Sequence, residues 1–337
     1  MSFPFSSSSK SQEEENTKVK EHYNNLTKRN IEDRSSSPIY GIKTFNNWIK
    51  TILIHLAIDH LSSSSKKKIK VLDLACGTGG DWGKFQRFSN QIEEYYGIDC
   101  AKRSIEIAED RYRQKVNNNN TSYPLIKSSW KVADLKKQTI TLSPPSPSFQ
   151  LVSCQFAFHY ACSSEESVRQ WLSNISNSLQ PGGVFIATFP NSNHIQWLLN
   201  DKLNKQENNK QLKMKEKEWS IEFVTGPKWN STNTNFIFSP EFGHCYLFTL
   251  EEAVQECPEY LVPLERVKEI AAESTYQLEC KQHWSHLGLM YEEFSKVPKF
   301  ERLLVDMKVV NEKGEFQLTP SLWQLVQLYQ AILFVKK

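Results

Sequence analysis

Apolar and polar positions alternate along the chain in blocks whose period keeps changing. Ile69 to Leu74 is a short, largely apolar run that predicts a buried strand, and Asp81 to Phe88 follows as a helix. Glu94 to Ile98 predicts a second strand, and Ser104 to Lys115 a charged, amphipathic helix. Ser129 to Val132 and Phe149 to Phe156 read as further strands and Glu165 to Leu179 as a helix. Pro181-Gly182-Gly183 makes a turn into a strand over Val184 to Phe189. Strand and helix alternating at this pace predict an α/β fold, a parallel sheet with crossover helices. Beyond residue 220 the clearest signals are a helix over Leu261 to Ala272 and a terminal strand over Ala331 to Val335.

Polar stretches punctuate these elements. Residues 1 to about 16 are Ser-rich and then acidic, which predicts a disordered tail. Ser62 to Lys68, Asn117 to Asn120 and Ser143 to Ser148 read as loops. Asp201 to Glu218 is nearly all Lys, Asn, Gln and Glu, and predicts an exposed helix or a mobile insertion.

Composition narrows the class without choosing the chemistry. A chain of 337 residues with 39% hydrophobic and 23% charged positions suits one large globular domain or a domain with an insertion. The longest apolar stretch, Ile49 to Leu61, is interrupted by Lys50, His55, Asp59 and His60, so no membrane span is expected. Met1 to Lys20 lacks the apolar core of a signal peptide, and a soluble intracellular protein is expected. The seven cysteines include no C-x-x-C pair and read as free thiols in a reducing compartment. A formal charge of +3 is too mild to imply a nucleic-acid partner by itself.

The first chemistry lies in Val71-Leu72-Asp73-Leu74-Ala75-Cys76-Gly77-Thr78-Gly79-Gly80-Asp81. A buried strand ends in a loop of small residues that opens a helix, so the backbone can turn sharply and approach a ligand closely. About 20 residues on, the next strand ends at Asp99, whose carboxylate can accept both ribose hydroxyls. The Asp-x-x-x-Gly-x-Gly form resembles the class I methyltransferase loop, which binds S-adenosylmethionine, more than the loop of NAD enzymes. Asp134, after the third strand, sits where it can reach an adenine amino group; a helix N-cap is the plain alternative.

More specific is Gln155-Phe156-Ala157-Phe158-His159-Tyr160, at the end of the fourth strand, where α/β enzymes place substrate. Upstream stand Glu21-His22-Tyr23-Asn24, Arg34 to Ile39, and Phe45-Asn46-Asn47-Trp48-Ile49-Lys50. Downstream stand Pro181-Gly182-Gly183, Phe189-Pro190-Asn191-Ser192, Cys257-Pro258-Glu259-Tyr260-Leu261-Val262, and Trp323 through Tyr329. Taken together these resemble the eukaryotic messenger RNA cap guanine-N7 methyltransferase family, from about residue 19 to the end of the chain. The resemblance implies a class I, Rossmann-like methyltransferase: a mostly parallel seven-stranded sheet, helices on both faces, and an insertion over the substrate site. It divides the chain into a tail, residues 1–18, and a catalytic domain, residues 19–337, with a polar insertion at about 200–220.

The same resemblance implies roles. Lys50, Asp73, Ala75, Gly77, Asp99, Asp134, Gln155 and Tyr160 match donor-binding positions, Lys50 facing the methionine carboxylate. Asn46, Asn47, Thr78, Lys84 and Arg111 match positions facing the cap and its phosphates, and His159, Glu259 and Tyr329 match residues around the guanine. S-adenosylmethionine is the implied donor, with no metal. Guanosine-capped pre-mRNA is the implied substrate, other capping enzymes or an activating subunit the implied partners, a monomer the catalytic unit and the nucleus the location. Read without the resemblance, Lys84 and Arg111 are solvated helix charges, Asn46 and Asn47 a helix cap, Glu259 a first-turn acid, and Tyr329 core.

Two residues depart from the family loop, which usually reads Leu-Gly-Cys-Gly-Lys-Gly-Gly: Ala75 replaces its first Gly and Thr78 its Lys. Thr78 removes a cation expected near the cap triphosphate, where each phosphate contact carries affinity and salt dependence. A small-molecule methyltransferase would explain the glycine loop alone, and a cap-binding pseudo-methyltransferase would explain the two departures.

Overall fold

The computed structural model describes residues 17–21, 36–64, 67–117, 124–140, 149–205, 213–224, 228–230, 235–237 and 241–337. Its central sheet takes seven strands: β1 (Ile69–Leu74), β2 (Ile92–Asp99), β3 (Lys127–Val132), β4 (Phe149–Gln155), β5 (Leu179–Pro190), β12 (Leu278–Trp284) and β13 (Tyr329–Lys336). Their order is β12-β13-β5-β4-β1-β2-β3. Only β13 opposes its neighbours; the pairs β4–β5, β4–β1, β1–β2 and β2–β3 are parallel. The predicted strands are all present: β1 has its expected bounds, β4 ends one residue early, and β2, β3, β5 and β13 run longer than expected.

A parallel sheet covered on both faces needs strands apolar on both sides. Val71 of β1, Leu151 of β4 and Ile186 of β5 enter one core cluster, while their chain neighbours Leu72, Val152 and Phe185 enter the other. The first face is covered by the 25-residue helix Tyr40–Ser64. Its buried Ile42, Phe45, Trp48, Ile49, Ile52 and Leu53 recur at helical spacing. The helix Glu165–Ser178 covers the other face with Val168, Trp171, Leu172 and Ile175. The long helix corrects two expectations. Asn46 and Asn47 lie inside it and cap nothing, and Ser62 to Ser64 continue it instead of starting a loop. The Ser62 hydroxyl donates to Gln91 Oε1 at 2.9 Å and that of Ser63 to His60 O at 2.7 Å, so these two hydroxyls are satisfied in helical form.

A second sheet is antiparallel: β6 (Lys213–Lys215), β7 (Trp219–Phe223), β10 (Cys245–Leu250) and β11 (Val254–Tyr260), in the order β11-β10-β7-β6. A separate hairpin joins β8 (Lys228–Asn230) to β9 (Asn235–Ile237). The described parts of the polar stretch Asp201 to Glu218 are partly helix and partly strand. The start of the stretch belongs to the helix Ser192–Lys205, and its end is β6 and the turn into β7, with residues 206–212 outside the described residues. Met214, Trp219 and Ile221 join the main core, with Lys215, Glu216 and Lys217 exposed between them and Glu218 buried, accepting the Thr319 hydroxyl at 3.2 Å. Residues 17–21 are helical and overlap the last two residues of the expected tail, whose residues 1–16 lie outside the described residues.

Gly97 of β2 sets the spacing beneath the glycine loop. A Cβ there would meet the Trp130 ring at 2.5 Å and Cys76 Sγ at 3.0 Å. Trp130 in turn packs on Tyr95, ring centroids 5.2 Å apart. Gly97→Ala is expected to lose about 1–3 kcal/mol by overpacking. Urea unfolding should show a lower midpoint at unchanged slope; an unmoved midpoint would mean that the Trp130 ring yields freely.

Candidate active site

The glycine loop begins where β1 stops hydrogen-bonding. Ala75, Gly77 and Gly79 take positive φ of 53°, 54° and 70°. For Ala75, which has a Cβ, the left-handed region costs about 1–2 kcal/mol. The loop is tied to the end of β2 through Asp99, whose carboxylate accepts the N–H of Gly77 at 2.9 Å and that of Ala101 at 2.8 Å. Burial pushes the Asp99 carboxyl up, and those backbone bonds oppose the shift.

A cavity of about 300 Å³ opens over this loop, and Lys50, Ala75, Gly77, Asp99, Asp134, Gln155 and Tyr160 all line it. Asp73, the eighth donor-side candidate, is not among its lining residues. Asp73 is buried in β1 and accepts the Tyr95 hydroxyl at 2.6 Å; burial, then the charge of Asp81, holds its carboxyl well above the usual carboxylate range. Asp134 accepts the N–H of Lys136 at 3.1 Å, so it also closes the turn that follows it, and it receives Lys20 Nζ at 2.8 Å.

Thr78 alone of the cap-side candidates lines this cavity. Six others lie one contact or two behind its wall. Lys84 Nζ donates to Asn47 Oδ1 at 2.9 Å and to Asp81 Oδ1 at 2.7 Å; Asp81 lines the cavity and also holds Lys50 Nζ at 2.7 Å. Arg111 reaches Thr78. Tyr329 packs on the cavity residue Phe156, centroids 5.2 Å apart. His159 packs on Tyr160, centroids 4.1 Å apart, and its Nε2 stands 3.6 Å from Glu259 Oε1. Glu259, on β11, accepts the Tyr246 hydroxyl from β10 at 2.8 Å. Asn46 Oδ1 and both His159 ring nitrogens are buried without a hydrogen-bond partner, which is uncommon enough in folded proteins to require an explanation.

A family model for the mRNA (guanine-N(7))-methyltransferase domain matches residues 6–337. The chain belongs to this family. An mRNA cap guanine-N(7) methyltransferase of Schizosaccharomyces pombe is 34% identical over 326 residues, covering 95% of this chain and 82% of that protein. An Arabidopsis thaliana protein, mRNA cap guanine-N(7) methyltransferase 1, is 34% identical over 328 residues, covering 95% and 81%. A Cryptococcus neoformans mRNA cap guanine-N(7) methyltransferase is 33% identical over 326 residues, and the match spans only 48% of its length. Among solved structures, the CcbJ methyltransferase from Streptomyces caelestis aligns over 95% of this chain and 96% of its own, with 12% identity and a TM-score of 0.47.

Several residues of this cap-methyltransferase domain escaped the sequence reading. Asp81 stood inside the loop motif, but its place between two lysines depends on the long helix packing beside it. Tyr246 meets the candidate Glu259 only across the β10–β11 pair, where the two are register partners. Val19 and Lys20 line the cavity from far upstream, and no local pattern marks them.

Burial pushes the Glu259 carboxyl from its ordinary 4.5 up to about 8, against the lowering effect of the Tyr246 bond. A raised acid pKa means that the folded state favours the neutral form. That stability is full below about pH 4.5 and is lost as pH rises through about 8. Glu259→Gln is neutral throughout, so its melting temperature relative to wild type should rise between about pH 5 and pH 9. A difference that stays constant with pH would mean that the carboxyl is already ionised in the free protein.

Proposed function

We propose that this chain transfers the methyl group of S-adenosylmethionine to N7 of the terminal guanosine of the mRNA 5′ cap. The observation that carries the reading is the arrangement of the cap-side residues. Asn47, Thr78, Lys84, Arg111, His159, Glu259 and Tyr329 stand on the wall of one cavity or within two contacts of it, and His159 of that set, like Asn46 beside Asn47 in the chain, holds buried polar atoms that a ligand would satisfy.

The cavity suits the donor's groups. Lys50 and Lys84 share one carboxylate, Asp81, leaving a surplus of positive charge for the methionine carboxylate, which Lys50 meets. Asp99 takes the ribose hydroxyls, Asp134 the adenine amino group, and Gln155 and Tyr160 complete the lining. Ala75 and Gly77 let the backbone approach. When bound, the donor supplies an electrophilic methyl group on a good leaving group.

On the cap side, Glu259 accepts N1–H and the N2 amino group of guanine, a pattern that adenine lacks. Two donors facing the carboxylate favour its ionised form, so guanine binding offsets the burial that raises its pKa. Tyr329 and His159 border the base, Asn46 and Asn47 face the cap nucleoside, and Lys84, Thr78 and Arg111 face the phosphates. Guanine N7 carries a free lone pair at neutral pH, so no general base is required. Burial and the charge of Lys136 push His159 down to about 3, so it stays neutral and positions the base without trading protons. The protein's contribution is alignment and a matched electrostatic setting. The same reading puts the reaction in the nucleus, on one catalytic chain, with other capping enzymes or an activating subunit as partners.

Paired variants separate the two halves of the site. Glu259→Gln should lower methylation of guanosine-capped RNA at least about tenfold with donor affinity near wild type, the loss of an ionic hydrogen bond being worth about 1.5–3 kcal/mol. Asp99→Ala should weaken donor affinity at least about tenfold, about 1.4 kcal/mol. Calorimetry with the donor and a methyl-transfer assay read both. Full cap activity in Glu259→Gln, or a loss of donor binding in it, would remove Glu259 from guanine recognition.

A further inference from the structure

We infer that Thr78 is a positioning residue: it holds the Arg111 guanidinium at the phosphate side of the site, so that Arg111 supplies there the charge that a lysine in the loop would otherwise bring. The inference rests on the proposed reading in one respect, that Arg111 faces the cap phosphates.

Arg111 comes from the helix Lys102–Asn117, a different element from the loop. Its Nη1 lies 2.8 Å from Thr78 O and 2.8 Å from Thr78 Oγ1. Nη1 carries two hydrogens, so one nitrogen is gripped by two acceptors of a single residue. The backbone oxygen would be present whatever residue stood at 78. The hydroxyl is what threonine adds, and valine of the same shape would lack it. Because the guanidinium is planar and rigid, fixing one nitrogen restricts where the whole charge sits. Thr78 also lines the donor cavity, so the gripped guanidinium lies one contact behind the cavity wall and not on a remote helix face.

The apparent loss of a cation at position 78 is thereby reinterpreted. A lysine there would remove the hydroxyl acceptor and set an ammonium against the guanidinium. Threonine does the opposite, bringing no charge and recruiting one from 33 residues along the chain. Arginine held in this way meets phosphate oxygens with less freedom to lose on binding than a free side chain.

The test is a double-mutant cycle on capped-RNA binding, measured over a range of salt, with wild type, Thr78→Val, Thr78→Ser, Arg111→Ala and the Thr78→Val/Arg111→Ala pair. Arg111→Ala should lower the salt slope by about one unit. Thr78→Val should weaken binding about three- to tenfold, as for one hydrogen bond, and Thr78→Ser should stay near wild type. The pair should match Arg111→Ala alone, because a residue that acts through Arg111 has no effect without it. Donor affinity should be unchanged in Thr78→Val. Additive losses in the pair, or a Thr78→Val variant equal to wild type on capped RNA, overturn the inference while leaving the Arg111 assignment intact. If Arg111→Ala itself leaves affinity and slope unchanged, Arg111 does not face phosphate, and both the assignment and the inference fall.

Discussion

Asp81 is the anion around which the site closes. Its Oδ1 takes Lys50 from the long helix Tyr40–Ser64 and Lys84 from the short helix Trp82–Gln86, each at 2.7 Å. Both helices are thereby locked to the glycine loop, and Lys84 carries the connection on to Asn47. Taking such charges out of water costs several kcal/mol per ion, which only close, well-aligned partners offset. The two lysines hold the Asp81 carboxyl far below its usual range despite burial, while its charge helps push neighbouring Asp73 the other way. Two cations against one ionised carboxylate leave an excess that an anionic ligand group completes. The donor side and the cap side of the proposed site are thus parts of one charge cluster.

The proposed guanine-recognition group is built differently, from a small antiparallel sheet laid beside the main one. Glu259 and Tyr246 face each other across β10 and β11, and the end of β11 is anchored by the Val262 N–H donating to Ser192 Oγ at 2.5 Å. A buried carboxyl with one hydrogen-bond donor, next to a neutral histidine with none, stores an electrostatic cost in the free protein. Such a cost is tolerable where the substrate relieves it.

Much of the main sheet was legible in the sequence because each parallel strand is a short apolar run closed by a turn signal. The loop and Asp99 were legible because a strand, small residues and a second strand end fall at a fixed spacing. Glu259 and His159 came from motif resemblance; nothing in their local pattern distinguishes them from core. β6 was not legible because it is three residues long, with a single buried side chain, Met214, between lysines. Asp81, Lys20 and the Thr78–Arg111 contact depend on elements that meet only in the folded chain. Asp73 looked like a donor contact from its place in the motif, whereas the pairing of β1 with β2 sets it beside Tyr95.

The most direct measurement is the position of the transferred methyl group. The protein would be incubated with isotopically labelled S-adenosylmethionine and RNA ending in an unmethylated guanosine cap, with the same RNA ending in an adenosine cap and with free nucleosides as parallel substrates. Nuclease digestion and mass spectrometry then locate the label. The account predicts label on N7 of the cap guanine, with none on the adenosine cap. Label on a ribose, on an internal base or on free nucleosides in preference to the guanosine cap would contradict it.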